Sequence, residues 1–393
     1  MKKMIQNKVS DFLAKKNLCY DRIDRFLMFR MYEKYKNQLL VKPIIQIIGT
    51  NGKGSTGRFL AQLLENIGYN VGHYTSPHIF DFKERFYKNK GIVCKEELKQ
   101  THEKLEEIFK EELNKLSYFE YATFLAAVLF RTCDYVIFEA GLGGEYDATS
   151  VFEKKMSIFT KIGFDHMQIL GDSLEKIART KLKVMSEKTL ISSEQEEIVL
   201  KIAKKIANLK KVELIFSSKF EGKYKSLIQN YVQKYNLPLY LKHNLILALN
   251  AFEILASKEK IEPALAKLEK LSLKGRLEQL EPNLYIDVGH NVMAATALRD
   301  QFMGEKLILV YNSYQDKDVF KILKTLKPII DTIKIYKYIS IERKLMSDEI
   351  YNIANILGIK CEEFNFLEKQ KKTLVFGSFA LVENFLKEWS DKK

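Results

Sequence analysis

At 393 residues and 46% hydrophobic side chains, the chain is too long for one ordinary core and too apolar for a disordered polypeptide, so two packed domains are expected. Cys19, Cys94, Cys133 and Cys361 stand far apart with no CxxC pair, which argues against a disulfide framework or a cysteine-based metal site and suits a reducing cytoplasm. The net charge of +14 admits nucleic acid, an anionic membrane or a small polyanion as partner, but 54 of the 64 basic residues are Lys, spread along helix faces such as 201–211 without an arginine strip, the pattern of a solvated surface.

The basic amino terminus is followed by no apolar h-region, and no stretch approaches the roughly 18 apolar residues of a membrane helix, so neither secretion nor membrane spanning is expected. From residue 44 onward strand and helix signals alternate, which predicts an α/β fold with a parallel sheet. A β-branched strand over 44–48 runs into glycines, and an amphipathic helix over 55–67 follows. A strand over 71–74 leads to a long polar and aromatic loop over 75–91. Helices are expected over 95–116 and 119–131, a buried strand ending in a carboxylate over 135–139, and strands over 157–162, 189–192 and 212–216. A second alternating unit holds a strand over 284–288, a helix over 291–302, a strand over 306–311 and a late strand over 373–376. The aperiodic stretch 274–283, with Gly275 and Pro282, reads as the linker between domains 1–273 and 284–393.

The strongest local signal is Gly49-Thr50-Asn51-Gly52-Lys53-Gly54-Ser55 between strand and helix. Glycines let backbone N–H groups face a phosphate, Lys53 adds a point charge, and the helix dipole reinforces both. A hydroxyl at Ser55 or Thr56 has the reach for a nucleotide's Mg²⁺. Two residues, where the common phosphate loop has four, separate the first glycine from the Gly-Lys pair, and a purely structural turn is the plain alternative. Glu139 closes a buried strand, where the carboxyl ends of a parallel sheet gather ligands, although a cap or surface ion pair would also put a carboxylate there. His166 after Asp165 suits either a metal or a satisfied core position.

Together with Tyr74-Thr75-Ser76-Pro77-His78, the segment Glu139 to Ser150 (EAGLGGEYDATS) and the segment Thr160 to Lys181, this loop resembles the Mur ligase superfamily, and within it folylpolyglutamate synthase and dihydrofolate synthase. The similarity continues through Gly275-Arg276-Leu277-Glu278, Asp287-Val288-Gly289-His290-Asn291, Asp316-Lys317-Asp318 and Gly377-Ser378. It implies a P-loop-like ATPase domain and a smaller Rossmann-like carboxy-terminal domain with ATP at their interface. It further implies an ATP-dependent amide ligase that adds L-glutamate to dihydropteroate or reduced folates through an acyl phosphate, releasing ADP and phosphate.

On the same resemblance, Gly49, Thr50, Asn51, Gly52, Lys53, Gly54, Ser55, Thr56, Arg276 and Asp287 bind the nucleotide. Ser55, Ser76, Glu139 and His166 hold two Mg²⁺ ions, nitrogen ligation by His166 being unusual for this oxygen-preferring ion. Lys181 matches a carbamylated lysine, and with Lys53 and His290 it makes the catalytic set; His290 and Ser378 meet the incoming glutamate. The bland readings are an exposed helix lysine at Lys181 and a satisfied loop histidine at His290.

Departures from the family pattern fall at Leu182-Lys183, at Val288, Gly289 and Val292, and at Leu247, where the family has a nucleotide-contacting asparagine that Asn250, about one turn on, is placed to replace. A Mur-type ligase acting on a cell-wall precursor would carry an extra amino-terminal domain, for which the stretch before Ile44 is short. A nucleic-acid-dependent ATPase would need a stacking platform that the chain lacks, and an inactive binding protein would keep loop and ligands only as relics. A cytoplasmic monomer with small-molecule substrates, no nucleic acid and no membrane partner is the expectation.

Overall fold

A computed structural model describes residues 8–16, 24–340 and 343–391; Cys19 and part of the basic amino terminus lie outside the described residues. In chain order the first elements are α1 (Lys8–Ala14), α2 (Leu27–Leu39), β1 (Ile44–Ile48), α3 (Lys53–Asn66), β2 (Val71–Tyr74), β3 (Phe86–Lys88) and β4 (Gly91–Ile92). Next come α4 (Lys95–Phe109), α5 (Tyr118–Leu129), β5 (Tyr135–Glu139), β6 (Lys154–Phe159), α6 (Met167–Leu170), α7 (Leu174–Leu182) and β7 (Lys188–Ile191). They are followed by α8 (Glu197–Lys210), β8 (Glu213–Phe216), α9 (Gly222–Lys234), α10 (Leu239–Ala256) and α11 (Ile261–Ala266). The remainder is β9 (Glu278–Glu281), β10 (Leu284–Asp287), α12 (Val292–Gln301), β11 (Leu307–Tyr311), α13 (Val319–Leu326), β12 (Ile330–Ile335), α14 (Ser347–Ile356), β13 (Lys360–Glu363), β14 (Thr373–Phe376) and α15 (Phe379–Asp391).

The first compact unit comprises the described residues up to Ile162, with Leu174–Tyr235 and His243–Leu271. Its eight strands lie in the order β4-β3-β2-β5-β1-β6-β7-β8, parallel except where β3 pairs with β2 and β4. All five residues of β1 and of β5 are buried, as expected of central parallel strands covered on both faces. Register then places the chemistry: Ile47 lies opposite Glu139 and Tyr74 opposite Phe138, so the glycine loop, Thr75 and Glu139 all leave the same carboxyl edge of the sheet.

The second unit comprises Gly163–Ser173, Asn236–Lys242 and the residues from Ser272 onward. Its six strands run β13-β12-β11-β14-β10-β9, parallel except for β9. Leu309, Ile333, Leu374 and Phe376 lie in the core formed between this sheet and its helices.

Several expected boundaries shift for identifiable reasons. Residues 75–91 are not one long loop: buried Phe86 and Tyr87 pair with β2 as an antiparallel edge, after a 3₁₀ turn over Phe82–Arg85 capped by Asp81. The helix expected over 95–116 is α-helical only to Phe109, because Lys110 turns to φ 50°. The 157–162 strand begins earlier, at Lys154, and ends at Phe159. Residues 274–283 are not a free linker: Glu278–Glu281 forms the antiparallel edge of the second sheet, too polar to show a strand period. Segments 163–173 and 236–242, assigned by chain order to the first domain, cluster with the second unit.

Candidate active site

In the first unit, Gly52 ends the glycine loop at φ 86° and a Cβ there would lie 2.5 Å from Asn244 Oδ1, so glycine is required twice over. A Cβ on Gly49 would fall 1.9 Å from Thr160 Oγ1. No side chain caps the N-terminus of α3, which leaves its first amides available to an anion. Lys53 Nζ donates to Thr50 O at 3.1 Å and lies 3.7 Å from Glu139 Oε1. Ser55 is buried; its hydroxyl donates to Gly52 O at 3.2 Å and accepts from Asn244 Nδ2 at 2.8 Å. Of the two candidate hydroxyls, Ser55 is the one held by a polar side chain; Thr56 Oγ1 is buried with no hydrogen-bond partner among the described residues.

Glu139 is 4% exposed. Its Oε2 accepts from Thr75 Oγ1 and from Ser76 N, the latter at 3.1 Å, leaving Oε1 toward Lys53. Ser55, Ser76 and Glu139 thus offer hydroxyl and carboxylate oxygens, the donor set that suits Mg²⁺. His78, in the same segment, accepts from Arg85 Nε at 2.9 Å, and burial, with the Arg85 charge second, pushes its pKa down to about 4.

The acid-glycine segment is stapled by Asp147, whose four hydrogen bonds come from Gly141 N, Leu142 N, Thr149 N and Thr149 Oγ1. That set leaves Gly144 against α7, where a Cβ would be 2.8 Å from Thr180 O and 3.0 Å from Lys181 Cα. Lys181 is consequently 5% exposed, with Nζ donating to Gly49 O at 2.9 Å. It is not on the solvated helix face; it touches the first glycine of the phosphate-type loop. The departure at Lys183 is accommodated by an ion pair with Glu145 at 2.8 Å.

Leu247 is buried in α10. Asn250 does not stand free to replace the missing asparagine: its Oδ1 accepts from Ser218 N at 2.9 Å, and its Nδ2 donates to Ser218 O and Ile246 O. An apolar run on a helix gave no warning that its one amide is spent on a neighbouring turn.

In the second unit, Asp287 closes β10. It accepts from Gly289 N at 2.7 Å, Leu277 N at 2.9 Å and Tyr240 Oη at 2.9 Å; burial raises its pKa, against the lowering effect of Arg276 and these donors. Arg276 lies over the Phe379 ring at 5.2 Å. At Gly289 an added Cβ would lie 2.6 Å from Ala294 Cβ, which gives this departure from the family alanine a local reason. His290 Nδ1 faces Val288 O at 3.2 Å. Ser378 Oγ accepts from Leu381 N at 3.0 Å and lies 3.4 Å from Tyr338 Oη. His166 belongs to this second unit, beside Asp165 and His290, whereas Ser55, Ser76 and Glu139 belong to the first.

Residues that sequence reasoning left without a role are Thr75, Asn244, Asp165 and Tyr240. Thr75 adjoins Ser76 and Asp165 adjoins His166, and that adjacency is the only signal they carry in the sequence; Asn244, three residues before Leu247, and Tyr240 carry none.

The Mur ligase middle domain family matches residues 47–244. Dihydrofolate synthase/folylpolyglutamate synthase of Buchnera aphidicola subsp. Acyrthosiphon pisum is 31% identical over 369 residues, 87% of this chain and 88% of the relative. The chain belongs to the dihydrofolate synthase/folylpolyglutamate synthase family of Mur ligases. The crystal structure of Helicobacter pylori folylpolyglutamate synthetase superposes with a TM-score of 0.80 at 39% identity, covering 98% of this chain and 99% of that one. A structure of Escherichia coli FolC in complex with DHPP and ADP has a TM-score of 0.79 at 23% identity over 98% of this chain and 97% of that one, a likeness of fold. The family fold is therefore present over the whole described chain, and the departures at Leu247, Val288, Gly289 and Val292 are local. Among the described residues no helix is long and apolar enough to cross a membrane.

Proposed function

We propose that the protein is an ATP-dependent carbon–nitrogen ligase that joins L-glutamate to dihydropteroate, to reduced folates, or to both. The observation that carries this reading is the meeting of Lys53, Glu139, Ser55 and Lys181 around one glycine loop in a chain of this family. A carboxylate of the pterin substrate attacks the γ-phosphorus of ATP, the bond to the β,γ-bridging oxygen breaks, and ADP leaves. The glutamate amine then attacks the acyl phosphate carbon; phosphate departs, the amine loses a proton, and an amide remains.

Lys53 contacts the β and γ phosphates and stabilises charge on the transferring phosphoryl group. Arg276 and Asp287 hold the nucleotide, and His290 and Ser378 orient glutamate. Ser55, Ser76, Glu139 and His166 are the ligands proposed for two Mg²⁺ ions, which when bound neutralise phosphate charge. Lys181 as a carbamate would exchange a buried ammonium for a carboxylate-like group, and the carbamate nitrogen keeps one N–H for Gly49 O. A cytoplasmic monomer is part of the same reading. The test is a panel of dihydropteroate and tetrahydrofolate with ATP and L-glutamate, products read by mass: a gain of one glutamyl unit with ADP release is expected, and ATP turnover stimulated by DNA but not by either pterin would overturn it.

A further inference from the structure

Asp165, in the second unit, has so far been given no role. Its side chain is 10% exposed, and Oδ1 accepts from the Lys317 ammonium at 2.7 Å, that lysine being 6% exposed. Oδ2 accepts from Asn291 Nδ2 at 3.0 Å, and His290 Nε2 lies 3.5 Å from the same oxygen. Asn291 Oδ1 meanwhile caps α12 by accepting from Ala294 N at 2.9 Å, so one amide links helix, turn and carboxylate. Burial would raise the Asp165 pKa; the hydrogen bond and charge of His290, with His166 and Lys317, override it and hold the carboxyl well below the usual range.

Asp165, His166 and His290 present ligand atoms within 4.8 Å of one another. The ammonium of Lys317 already neutralises the carboxylate at hydrogen-bond distance, however, so the cluster is an ion pair built beside His290 and not a metal site of its own. Asp165 also accepts from its neighbour His166 N at 2.9 Å, with His166 Nε2 farther off at 3.9 Å. Its cross-chain partners are a lysine, the residue after His290 and His290 itself, an arrangement that serves to fix where the His290 imidazole points. With Nδ1 turned to Val288 O, the ring has two anchors and one orientation.

We propose that Asp165, with Lys317 as its buried counter-ion, is a positioning residue that holds His290 in the orientation in which it receives the incoming glutamate. This rests on the reading of His290 given above. A group acting through another in this way moves the parameter of the substrate that the other group serves. In Asp165→Asn, the KM for L-glutamate should rise at least tenfold while the KM for ATP stays within twofold of wild type. The chain has six histidines, so ¹⁵N-imidazole spectra, with His290 assigned by its loss in His290→Gln, should show the His290 Nε2 resonance displaced in Asp165→Asn. An unchanged glutamate KM, equal rises in both KM values, or an unmoved His290 resonance would overturn the proposal. Should Asp165→Asn not fold, Asp165→Ser, which leaves room for water beside the ammonium, is read in the same way. If His290→Ala itself leaves the glutamate KM unchanged, the reading of His290 fails and takes this inference with it; a raised KM in His290→Ala with a normal one in Asp165→Asn removes the inference alone.

Discussion

β1 leads into α3, and β10 into α12, through turns of the same length, four residues, put to opposite uses. The first has no side-chain cap, and its helix amides stay open behind Lys53. The second is closed: Asn291 caps α12, Asp287 takes the N–H groups of Leu277 and Gly289, and Asp165 takes the Asn291 amide. An open, lysine-flanked helix start favours a phosphate. A capped start flanked by the part-buried carboxylate of Asp165 and the buried one of Asp287 instead makes a frame for His290. The fold supplies the position, and the occupants of the first helical turn decide what that position binds.

The comparison is tested most severely at Lys53. Lys53→Ala should lower kcat by about a hundredfold or more, the size expected for losing a preorganised group on a transferring phosphoryl, while circular dichroism and thermal midpoint stay close to wild type; near-normal turnover would remove the open turn from the chemistry. At Lys181, alanine should cost most of the ligation rate, and acetate or formate should restore part of it by filling the vacated oxygen positions. Lys181→Arg should be no better than alanine, since guanidinium keeps the positive charge and forms no carbamate of this kind; a fully active arginine variant would end the carbamate reading.

A smaller effect is expected at Thr75. Its hydroxyl fixes Oε2 of Glu139, so Thr75→Val should raise the Mg²⁺ concentration for half-maximal activity by roughly tenfold, as loss of an outer hydrogen bond to a metal ligand typically does; an unchanged Mg²⁺ titration would leave Thr75 a structural residue. The smallest effect belongs to the closed turn. Asn291→Ala removes a helix cap worth about 1 kcal/mol, seen as a lower urea midpoint, and a variant as stable as wild type would show that the two turns differ less than their hydrogen bonds suggest.

Much of this contrast is legible in the residues. Ile44–Ile48 and Tyr135–Glu139 are short runs of β-branched and aromatic side chains, and only parallel strands covered on both faces bury such runs completely. Glycines at 49 and 52 announce a backbone that must approach something closely. Less was visible where the determinant is a partner far along the chain. The edge pairing of Phe86 and Tyr87 depends on β2, and the strand Glu278–Glu281 is polar enough to pass for a linker.

The sequence by itself determined the α/β class, the order of the elements and the identity of the glycine loop, because these depend on local periodicity and on residue types that few backbones tolerate. Tertiary structure alone decided that Lys181 is buried against Gly49 O, that Asn250 is spent on Ser218, and that residues 163–173 and 236–242 join the second unit. A hydrogen bond between residues 132 positions apart leaves no periodic trace in either segment. It exists because the sheet register and the missing side chain of Gly144 bring α7 against the loop, and only the folded chain puts those two facts in the same place.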